Sequence, residues 1–219
     1  MKILITGTSK GIGKACALYF LNKGFKVVGI DMLPASINHK NYVHFEADIK
    51  NKEELPELKG IDYIFNNAGL QNCEDDIENN LKGTINVTEK YAFQKGVKSV
   101  LFNASASSRS GFEFPEYVAS KAGLVGYMKN VAARLAPKAI ANSLSLGGVI
   151  TDVNDVVINN KECWNKIMKA TPLKKWMSEE EVCEWVYFLL IINKSMSGQD
   201  VLVDNGEYNL NSTFVWPKQ

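Results

Sequence analysis

The chain has 219 residues, of which 46% are hydrophobic, and its formal net charge is +1. The length fits a single α/β domain spanning residues 1–219, with a sizeable core. The nearly neutral charge gives no electrostatic reason to expect binding to nucleic acid or to an anionic membrane surface. The cysteines show neither metal-like nor paired spacing, which is typical of a reduced cytoplasmic protein, and we expect no metal site. They are Cys16, Cys73, Cys163 and Cys183.

The sequence predicts neither a signal peptide nor a transmembrane helix. The first predicted strand begins at Ile3, which leaves no room for a signal peptide. The longest apolar helix, around residues 182–192, contains Glu184 and does not reach the length needed to span a bilayer. We therefore expect a cytoplasmic protein that binds neither membrane nor nucleic acid.

A glycine-rich turn follows the first predicted strand, and a helical pattern begins directly after it. Such a unit directs backbone N–H groups and the positive end of a helix dipole at one point, where a phosphate can bind. Glycine is needed because the backbone turns tightly and a pyrophosphate must come close. The spacing is Gly7-x-x-x-Gly11-x-Gly13, which differs from the usual Gly-x-Gly-x-x-Gly. The alternative is a tight turn without a ligand.

The second predicted strand, residues 26–31, ends in an acid about 20 residues past the glycine turn. In a dinucleotide-binding fold, Asp31 would accept hydrogen bonds from the adenosine ribose and would repel the 2′-phosphate of NADP. Lys10, inside the turn, would instead attract that phosphate. We give Asp31 more weight because the lysine is flexible, so the expected cofactor is NAD, with NADP less favoured. An ordinary turn aspartate at a strand end is the alternative.

Strands and helices alternate along the rest of the chain. This order predicts a doubly wound, mainly parallel sheet of Rossmann type, with about seven strands flanked by helices. The further strands are predicted at 42–45, 61–65, 97–102, 140–146 and 200–203. The further helices are predicted at 51–58 (weak, and broken by Pro56), 81–93, 116–135 and 179–192.

Several polar or glycine residues fall where these strands end. Ligands in such folds bind at the carboxyl ends of the strands, so this convergence predicts a binding site there. The residues are those of the glycine turn together with Asp31, Asp48, Asn67, Ser105 and Gly147.

Tyr117 and Lys121 lie four residues apart near the start of the helix predicted at 116–135, so they share one helical face. A phenol with a pKa of about 10 is a poor acid–base catalyst at neutral pH, and a neighbouring ammonium favours the phenolate. Ser105 would hold a substrate oxygen beside Tyr117. The Tyr-x-x-x-Lys spacing is common, and a solvated helix face is the alternative interpretation.

These motifs, in this order, resemble the classical short-chain dehydrogenase/reductase family over essentially the whole chain. The C-terminal motifs are most similar to the branch that contains 3-oxoacyl-[acyl-carrier-protein] reductases. The motifs are Thr6-Gly7-x-x-x-Gly11-Ile12-Gly13, Asn66-Asn67-Ala68-Gly69, Ser105, Tyr117-x-x-x-Lys121, the turn from Gly147 to Thr151, Thr171-Pro172-Leu173, Glu180-Glu181-Val182, Gly198-Gln199 and Val203-Asp204-Asn205-Gly206.

The resemblance implies catalytic roles for four residues. Tyr117 would be the general acid–base, and Lys121 would bind the nicotinamide ribose and lower the pKa of the phenol. Ser105 would position the substrate carbonyl or alcohol. Asn80 would hold a water molecule in a proton relay, although a solvated helix residue is its alternative.

The same resemblance implies a set of cofactor-binding residues. Asp48 would contact adenine, and Val149 and Thr151 would meet the carboxamide, with helix caps as the alternative roles of Asp48 and Thr151. The full set is Gly7, Ser9, Lys10, Gly11, Ile12, Gly13, Asp31, Asp48, Ile49, Asn67, Ala68, Gly69, Lys121, Gly147, Val149 and Thr151.

The chain also departs from the family pattern. Ser105 lies twelve residues before Tyr117, one fewer than usual, so Ser107 and then Ser108 are the fallback serines. The segment 67–80 is shorter than usual. Leu146 replaces the usual proline, and Asn205 replaces a glycine.

We expect an NAD(H)-dependent oxidoreductase that interconverts a small secondary alcohol and a ketone. The alternatives are a 3-oxoacyl-[acyl-carrier-protein] reductase using NADPH, which needs a basic patch for the carrier, and a non-catalytic dinucleotide-binding sensor or scaffold. Lys129, Arg134 and Lys138 are candidates for that patch. The apolar helix 179–192 and the apolar tail 212–216 predict a homotetramer or homodimer.

Overall fold

The computed structural model describes residues 1–71, 74–208 and 210, so Cys73 and the apolar tail 212–216 lie outside the described part. Seven strands form one parallel sheet in the order β3-β2-β1-β4-β5-β6-β7. The predicted fold class is confirmed. The strands are β1 (Lys2–Thr6), β2 (Lys26–Asp31), β3 (Tyr42–Glu46), β4 (Tyr63–Asn66), β5 (Ser99–Ser105), β6 (Ile140–Leu146) and β7 (Asp200–Val203).

Helices cover both faces of the sheet. Two of them contain π-helical turns: residues Ile77–Gly83 lead into α2, and residues Phe188–Ile192 continue α7. A short 3₁₀ turn, Asp152–Asn154, precedes α5. The helices are α1 (Gly11–Asn22), α2 (Thr84–Tyr91), α3 (Ser107–Ser110), α4 (Pro115–Leu135), α5 (Asp155–Ile158), α6 (Lys161–Ala170) and α7 (Glu179–Tyr187).

Successive side chains of β1 point into two different cores, as the two-residue period of a strand requires. Ile3 and Ile5 belong to the core under α1 and α7, whereas Leu4 belongs to the core under α2 and α4. Each of these side chains is fully buried, which contributes roughly 1.5–3 kcal/mol per residue. Burial on both faces explains why the strands are apolar without alternation.

The strand order reverses between β1 and β4, which lie side by side at the centre of the sheet. Ile5 pairs with Gly29 of β2 on one side and with Phe65 of β4 on the other. The turn after β1 and the turn after β4 therefore open a crevice between them, the usual ligand position in such sheets.

The weak helix predicted at 51–58 is wrong, because this segment forms only turns and irregular structure. Pro56 cannot donate a backbone hydrogen bond, and Leu55 is buried in the core beneath α2. Side chains of α2 hold the segment instead: Lys90 Nζ donates to the Leu55 carbonyl at 2.6 Å, and the Tyr91 hydroxyl donates to the Pro56 carbonyl at 2.6 Å.

Within the described ranges, no helix has the length and apolar character needed to cross a membrane. The same residues contain no group of three or more His, Cys, Asp or Glu side chains that could hold a metal ion.

Candidate active site

The turn between β1 and α1 forms a cradle of glycines. Gly7 and Gly11 adopt left-handed backbone conformations, with φ of +76° and +54°. A Cβ on Gly13 would lie 1.9 Å from the Gly7 carbonyl oxygen, so only glycine fits there. No acid lies in the first turn of α1, which leaves its N–H groups and dipole available to an anion.

Asp31 ties this cradle to the loop after β2. Its carboxylate is buried and accepts hydrogen bonds from the backbone N–H groups of Ser9, at 2.8 Å, and Leu33, at 2.9 Å. The sequence predicts that this carboxylate accepts hydrogen bonds from a ribose. In the structure it also accepts two hydrogen bonds from the protein backbone. Each oxygen retains acceptor capacity, and Asp31 lines the cavity described below, as does the exposed Lys10.

The segment after β4 packs directly against the cradle. Thr6 Oγ1 accepts from the backbone N–H groups of Asn67 and Ala68, both at 3.0 Å. Asn67 Nδ2 donates to the Thr6 carbonyl at 3.1 Å. The threonine of the sequence motif thus fixes the turn after β1 and the turn after β4 relative to each other.

The crevice opens into a cavity of about 790 Å³ that runs from the glycine turn to α4. Most of the predicted site residues line it, whereas Ser9, Gly13 and Asn80 do not. The predicted residues that line it are Gly7, Lys10, Gly11, Ile12, Asp31, Asp48, Ile49, Asn67, Ala68, Gly69, Ser105, Tyr117, Lys121, Gly147, Val149 and Thr151.

Tyr117 and Lys121 meet Ser105 at the end of the cavity near α4. Lys121 is buried, and its Nζ donates to the Asn103 carbonyl at 2.9 Å while lying 5.6 Å from the centre of the Tyr117 ring. Burial lowers the pKa of Lys121 to about 8, although the charges of Asp76 and Glu113 act in the opposite direction.

The expected lowering of the phenol pKa is not found in the protein alone. Burial raises the pKa of Tyr117 to about 12, against a hydrogen bond with Ser105 that lowers it. The carboxylates of Glu113 and Asp76 raise it further. The phenol is therefore protonated at neutral pH.

Of the candidate serines, Ser105 alone lines the cavity among the described residues. Ser107 is fully buried behind it and donates from its Oγ to Ser105 Oγ at 2.9 Å. Ser107 therefore orients Ser105, and Ser108 does not reach the cavity.

Asn80 lies in the π-helical turn Ile77–Gly83 and is fully buried. Its Oδ1 accepts from the Leu70 N–H at 2.7 Å, and its Nδ2 donates to the Leu70 carbonyl at 2.9 Å and to Ser120 Oγ at 3.1 Å. The side chain thus joins the segment after β4 to α4 and does not itself line the cavity. Its role in holding a water molecule stays a prediction.

Two departures from the family pattern have local explanations. Asn205 adopts φ of +56°, a left-handed conformation that asparagine tolerates better than most residues. Leu146 is buried in the core beneath α1 and α7, so the leucine side chain is accommodated at this position.

Comparison with known proteins agrees with this geometry. The family model for short chain dehydrogenases matches residues 1–162. The 3-oxoacyl-[acyl-carrier-protein] reductase FabG of Aquifex aeolicus (strain VF5) is 30% identical over 225 residues, covering 94% of this chain and 87% of that protein. The chain belongs to the short-chain dehydrogenase family. As a member of this family it is an oxidoreductase that acts on CH–OH groups with NAD or NADP.

Other members of the short-chain dehydrogenase family are similar over nearly the full length. FabG of Staphylococcus epidermidis (strain ATCC 12228 / FDA PCI 1200) is 25% identical, covering 94% of this chain and 98% of that protein. The structure of 4-hydroxyisoleucine dehydrogenase complexed with NADH has a TM-score of 0.85 at 23% identity, covering 96% of this chain and 99% of that one. A putative 2-deoxy-d-gluconate 3-dehydrogenase from Agrobacterium tumefaciens with bound NADP has a TM-score of 0.84 at 23% identity, covering 94% and 95%. These structures establish the shared fold.

The cavity contains residues that the sequence analysis missed. Glu113, Trp176, Glu207 and Tyr208 also line it. They come from three segments far apart in the chain and carry no motif of this family. The sequence around Glu113 does not mark it as a site residue. Only its backbone conformation is unusual, because its φ of +92° is uncommon for a residue other than glycine.

Proposed function

We propose that this protein is an NAD(H)-dependent dehydrogenase that interconverts a secondary alcohol and a ketone, with Tyr117 as general acid and base. The observation that carries the proposal is the meeting of Ser105, Tyr117 and Lys121 in a cavity whose other end is the glycine cradle. The cradle fits a dinucleotide because Gly13 leaves no space for a side chain and α1 begins there without an acid. A bound nicotinamide would supply or accept the hydride.

In the reductive direction, Tyr117 would give its proton to the substrate carbonyl oxygen. The phenol suits this step because its pKa of about 12 keeps it protonated at neutral pH. Ser105 Oγ, which Ser107 orients, would hold the same oxygen. In the oxidative direction the phenol must lose its proton, and the ammonium of Lys121, 5.6 Å from the ring centre, would favour the phenolate once substrate and cofactor are bound.

Lys121 would also donate a hydrogen bond to the nicotinamide ribose. Its Nζ is held by the Asn103 carbonyl and lies close to Gly69, where an added Cβ would approach it to 3.3 Å. Gly69 therefore gives the ammonium access to the cofactor side of the cavity. At neutral pH most of the lysine is charged, since its pKa is about 8.

The proposed cofactor preference is for NAD(H) over NADP(H). Asp31 is buried beside the cradle, and a 2′-phosphate on the ribose would bring negative charge towards its carboxylate. Lys10 is exposed at the same end of the cavity and favours the phosphate. Titration of both reduced cofactors into the protein, followed by fluorescence, tests this balance, and tighter binding of NADPH would contradict it.

A 3-oxoacyl-[acyl-carrier-protein] reductase using NADPH is the second candidate, because proteins of that name are among the similar ones. The proposed carrier-binding patch is weaker than the sequence suggests. Arg134 donates to both carboxylate oxygens of Glu89, at 2.7 and 2.8 Å, so its charge is already paired. Lys129 and Lys138 are exposed. Rapid NADPH oxidation with a 3-oxoacyl carrier-protein thioester would establish this reading.

A non-catalytic sensor on the same fold is the third candidate. It differs from the enzyme in one observable, because a sensor binds the cofactor without turnover. A screen of ketones and secondary alcohols with both cofactors, followed by NAD(P)H absorbance, separates the two. Turnover that Tyr117→Phe abolishes supports the enzyme, and cofactor binding without any turnover supports the sensor.

We also propose that the chain is a single cytoplasmic domain that forms a homotetramer or homodimer. Most of the predicted apolar surface of α7 is buried in its own core, but Trp185, Phe188 and Ile192 are 39%, 43% and 55% exposed. Exposed apolar groups of this kind favour contact between subunits. Light scattering tests the assembly, and a mass near 24.3 kDa with and without NAD would contradict it.

A further inference from the structure

Two polar side chains of β3 are connected to the loop that follows β2. This loop, residues 32–36, is called the β2 loop below, and its residues Met32 and Leu33 line the cavity next to Asp31. Tyr42 and His44 are two residues apart on β3, so they project from the same face of the sheet. Neither is among the described residues that line the cavity. Any effect of these side chains on a bound cofactor must therefore pass through the loop.

A continuous chain of hydrogen bonds runs across this face of the sheet. The Thr8 hydroxyl lies 2.8 Å from the Tyr42 hydroxyl, which lies 2.8 Å from His44 Nδ1. His44 Nε2 lies 2.9 Å from the Leu33 carbonyl oxygen. The chain thus connects the glycine turn after β1, through β3, to the β2 loop.

The carbonyl at the end of the chain fixes the direction of each hydrogen bond in it. A carbonyl oxygen can only accept, so His44 Nε2 must carry a hydrogen and donate it to Leu33. In the neutral imidazole, Nδ1 is then an acceptor, and the Tyr42 hydroxyl donates to it. The Tyr42 oxygen in turn accepts from Thr8. Burial raises the pKa of Tyr42, so the phenol keeps the hydrogen that this order requires.

Gly29 of β2 leaves the space in which this chain crosses the sheet. A Cβ on Gly29 would lie 2.3 Å from the Tyr42 hydroxyl oxygen and 2.4 Å from Thr8 Oγ1. Glycine weakens the interior of a strand and often marks a site where other groups come close. The strand therefore lacks a side chain at the position where Tyr42 and Thr8 meet.

The β2 loop is also bonded directly to the glycine turn. Ser9 Oγ lies 2.9 Å from the Pro34 carbonyl oxygen and 3.2 Å from the Leu33 carbonyl oxygen. Ser36 Oγ donates to the Ser9 carbonyl at 2.7 Å. Because a hydroxyl has a single hydrogen, the shorter contact with Pro34 takes it. His44 is then the main donor to the Leu33 carbonyl.

We propose that His44 is a positioning residue for the adenosine end of the cofactor, and that it acts through its hydrogen bond to the Leu33 carbonyl. The inference rests on the proposed function, in which the adenosine ribose binds at Asp31. A loop that is held in place before binding loses less conformational freedom when the cofactor binds, and this favours affinity. The role predicts an effect on cofactor binding and none on proton transfer at Tyr117.

Three substitutions of His44 separate its two hydrogen bonds. Glutamine can place an amide N–H near the position of Nε2, asparagine reaches only the position of Nδ1, and phenylalanine keeps a ring without either bond. We expect His44→Gln to bind NADH within about twofold of the wild type, and His44→Asn and His44→Phe to bind it about tenfold more weakly. Equal losses in all three variants, or no loss in any of them, would overturn the proposal.

The adenosine half of the cofactor provides a second readout. ADP contains this half without the nicotinamide, and its affinity is measured by displacement of NADH. His44→Phe should weaken ADP by about the same factor as NADH, and should raise KM for NADH while leaving kcat within about twofold. A loss for NADH without a loss for ADP, or a fall in kcat at unchanged KM, would contradict a role at the adenosine end.

His39, the other histidine of the chain, offers a matched control. It lies between β2 and β3, its Nδ1 accepts from the Asn41 N–H at 3.1 Å, and it does not line the cavity. His39→Phe should keep NADH affinity within about twofold of the wild type, and a loss as large as that of His44→Phe would overturn the specific role of His44. If the wild type binds neither NADH nor NADPH, the proposed function fails and the role of His44 with it. If the wild type binds NADH and His44→Phe binds it equally well, the function stands and the role of His44 fails.

Discussion

Replacement of Gly13 by alanine tests whether the glycine turn after β1 must lack side chains for a cofactor to bind close to its backbone. A Cβ at this position would lie 1.9 Å from the Gly7 carbonyl oxygen and 2.5 Å from Asn67 Nδ2. The first contact is about 1.1 Å below the 3.0 Å under which Cβ contacts are not found. Gly7 itself packs close to the segment after β4, since a Cβ added to it would lie 3.0 Å from Ala68 Cα and from Asn67 Nδ2. The turn must therefore move by about an ångström.

We expect Gly13→Ala to weaken cofactor binding more than it destabilises the fold. Overpacking destabilises by about 1–3 kcal/mol, and alanine returns about 1 kcal/mol of helix propensity, so the free energy of unfolding should fall by roughly 0–2 kcal/mol. A displacement of about an ångström in the turn should weaken NADH binding by at least tenfold, since misplacement of this size costs up to about a hundredfold.

The chain offers a matched control for this substitution. Gly126 lies in the interior of α4, is exposed, and has no atom within 4 Å of an added Cβ. Gly126→Ala should raise the free energy of unfolding by up to about 1 kcal/mol and leave NADH affinity unchanged. Urea denaturation and NADH fluorescence titration measure both variants. An unchanged NADH affinity in Gly13→Ala would refute the close-approach argument.

Three further predictions follow from the site geometry. Ser105→Ala should lower kcat by at least about a hundredfold, because Ser105 lines the cavity, whereas Ser107→Ala should lower it less. Steady-state kinetics of the two variants measures this, and a larger loss in Ser107→Ala would contradict the assignment of Ser105 as the substrate-positioning serine. Lys121→Met should lose turnover yet stabilise the protein by up to about 3 kcal/mol at pH 7, because burial lowers the pKa of the lysine from 10.5 to about 8 and each pKa unit corresponds to about 1.36 kcal/mol. The stability gained by Lys121→Met should shrink as the pH rises from about 8 to 10.5, because in this range the folded lysine is mostly neutral while the unfolded lysine is still charged. A stability gain that does not change with pH would contradict the lowered pKa of Lys121. Asp31→Asn should narrow the preference for NADH over NADPH in a competition titration, and an unchanged ratio would remove Asp31 from cofactor selection.

Local patterns were sufficient to predict the sheet but not the details of polar side chains. Strands 140–146 and 200–203 were predicted with their observed bounds, because the turn residues Gly147 and Gly148, Gly198, and Asp204 to Gly206 mark where they begin or end. The segment 51–58 was misjudged because its helical spacing came from Leu55 and Leu58, which pack on the core while Pro56 prevents a helix.

The residues of the candidate site that belong to sequence motifs were predictable. The hydrogen bonds of these residues, and the lining residues outside the motifs, depend on tertiary contacts and were not. Asp31 was placed at the right strand end, yet its bonds to the N–H groups of Ser9 and Leu33 depend on the folded loop. Asn80 was predicted only from the family motif, and its bonds to the Leu70 backbone and to Ser120 Oγ depend on the folded structure. Glu113 and Glu207 lie 94 residues apart in sequence, so only the closed fold brings them together.

The most direct test of the proposed chemistry is a comparison of the wild type with Tyr117→Phe, measuring NADH affinity and alcohol turnover on the same samples. The variant removes the phenolic proton and little volume. We expect NADH to bind within about twofold of the wild type and turnover to fall by about a hundredfold to ten-thousandfold, the usual contribution of a general acid–base. Near-normal turnover in Tyr117→Phe would contradict the assignment of Tyr117 as the proton donor.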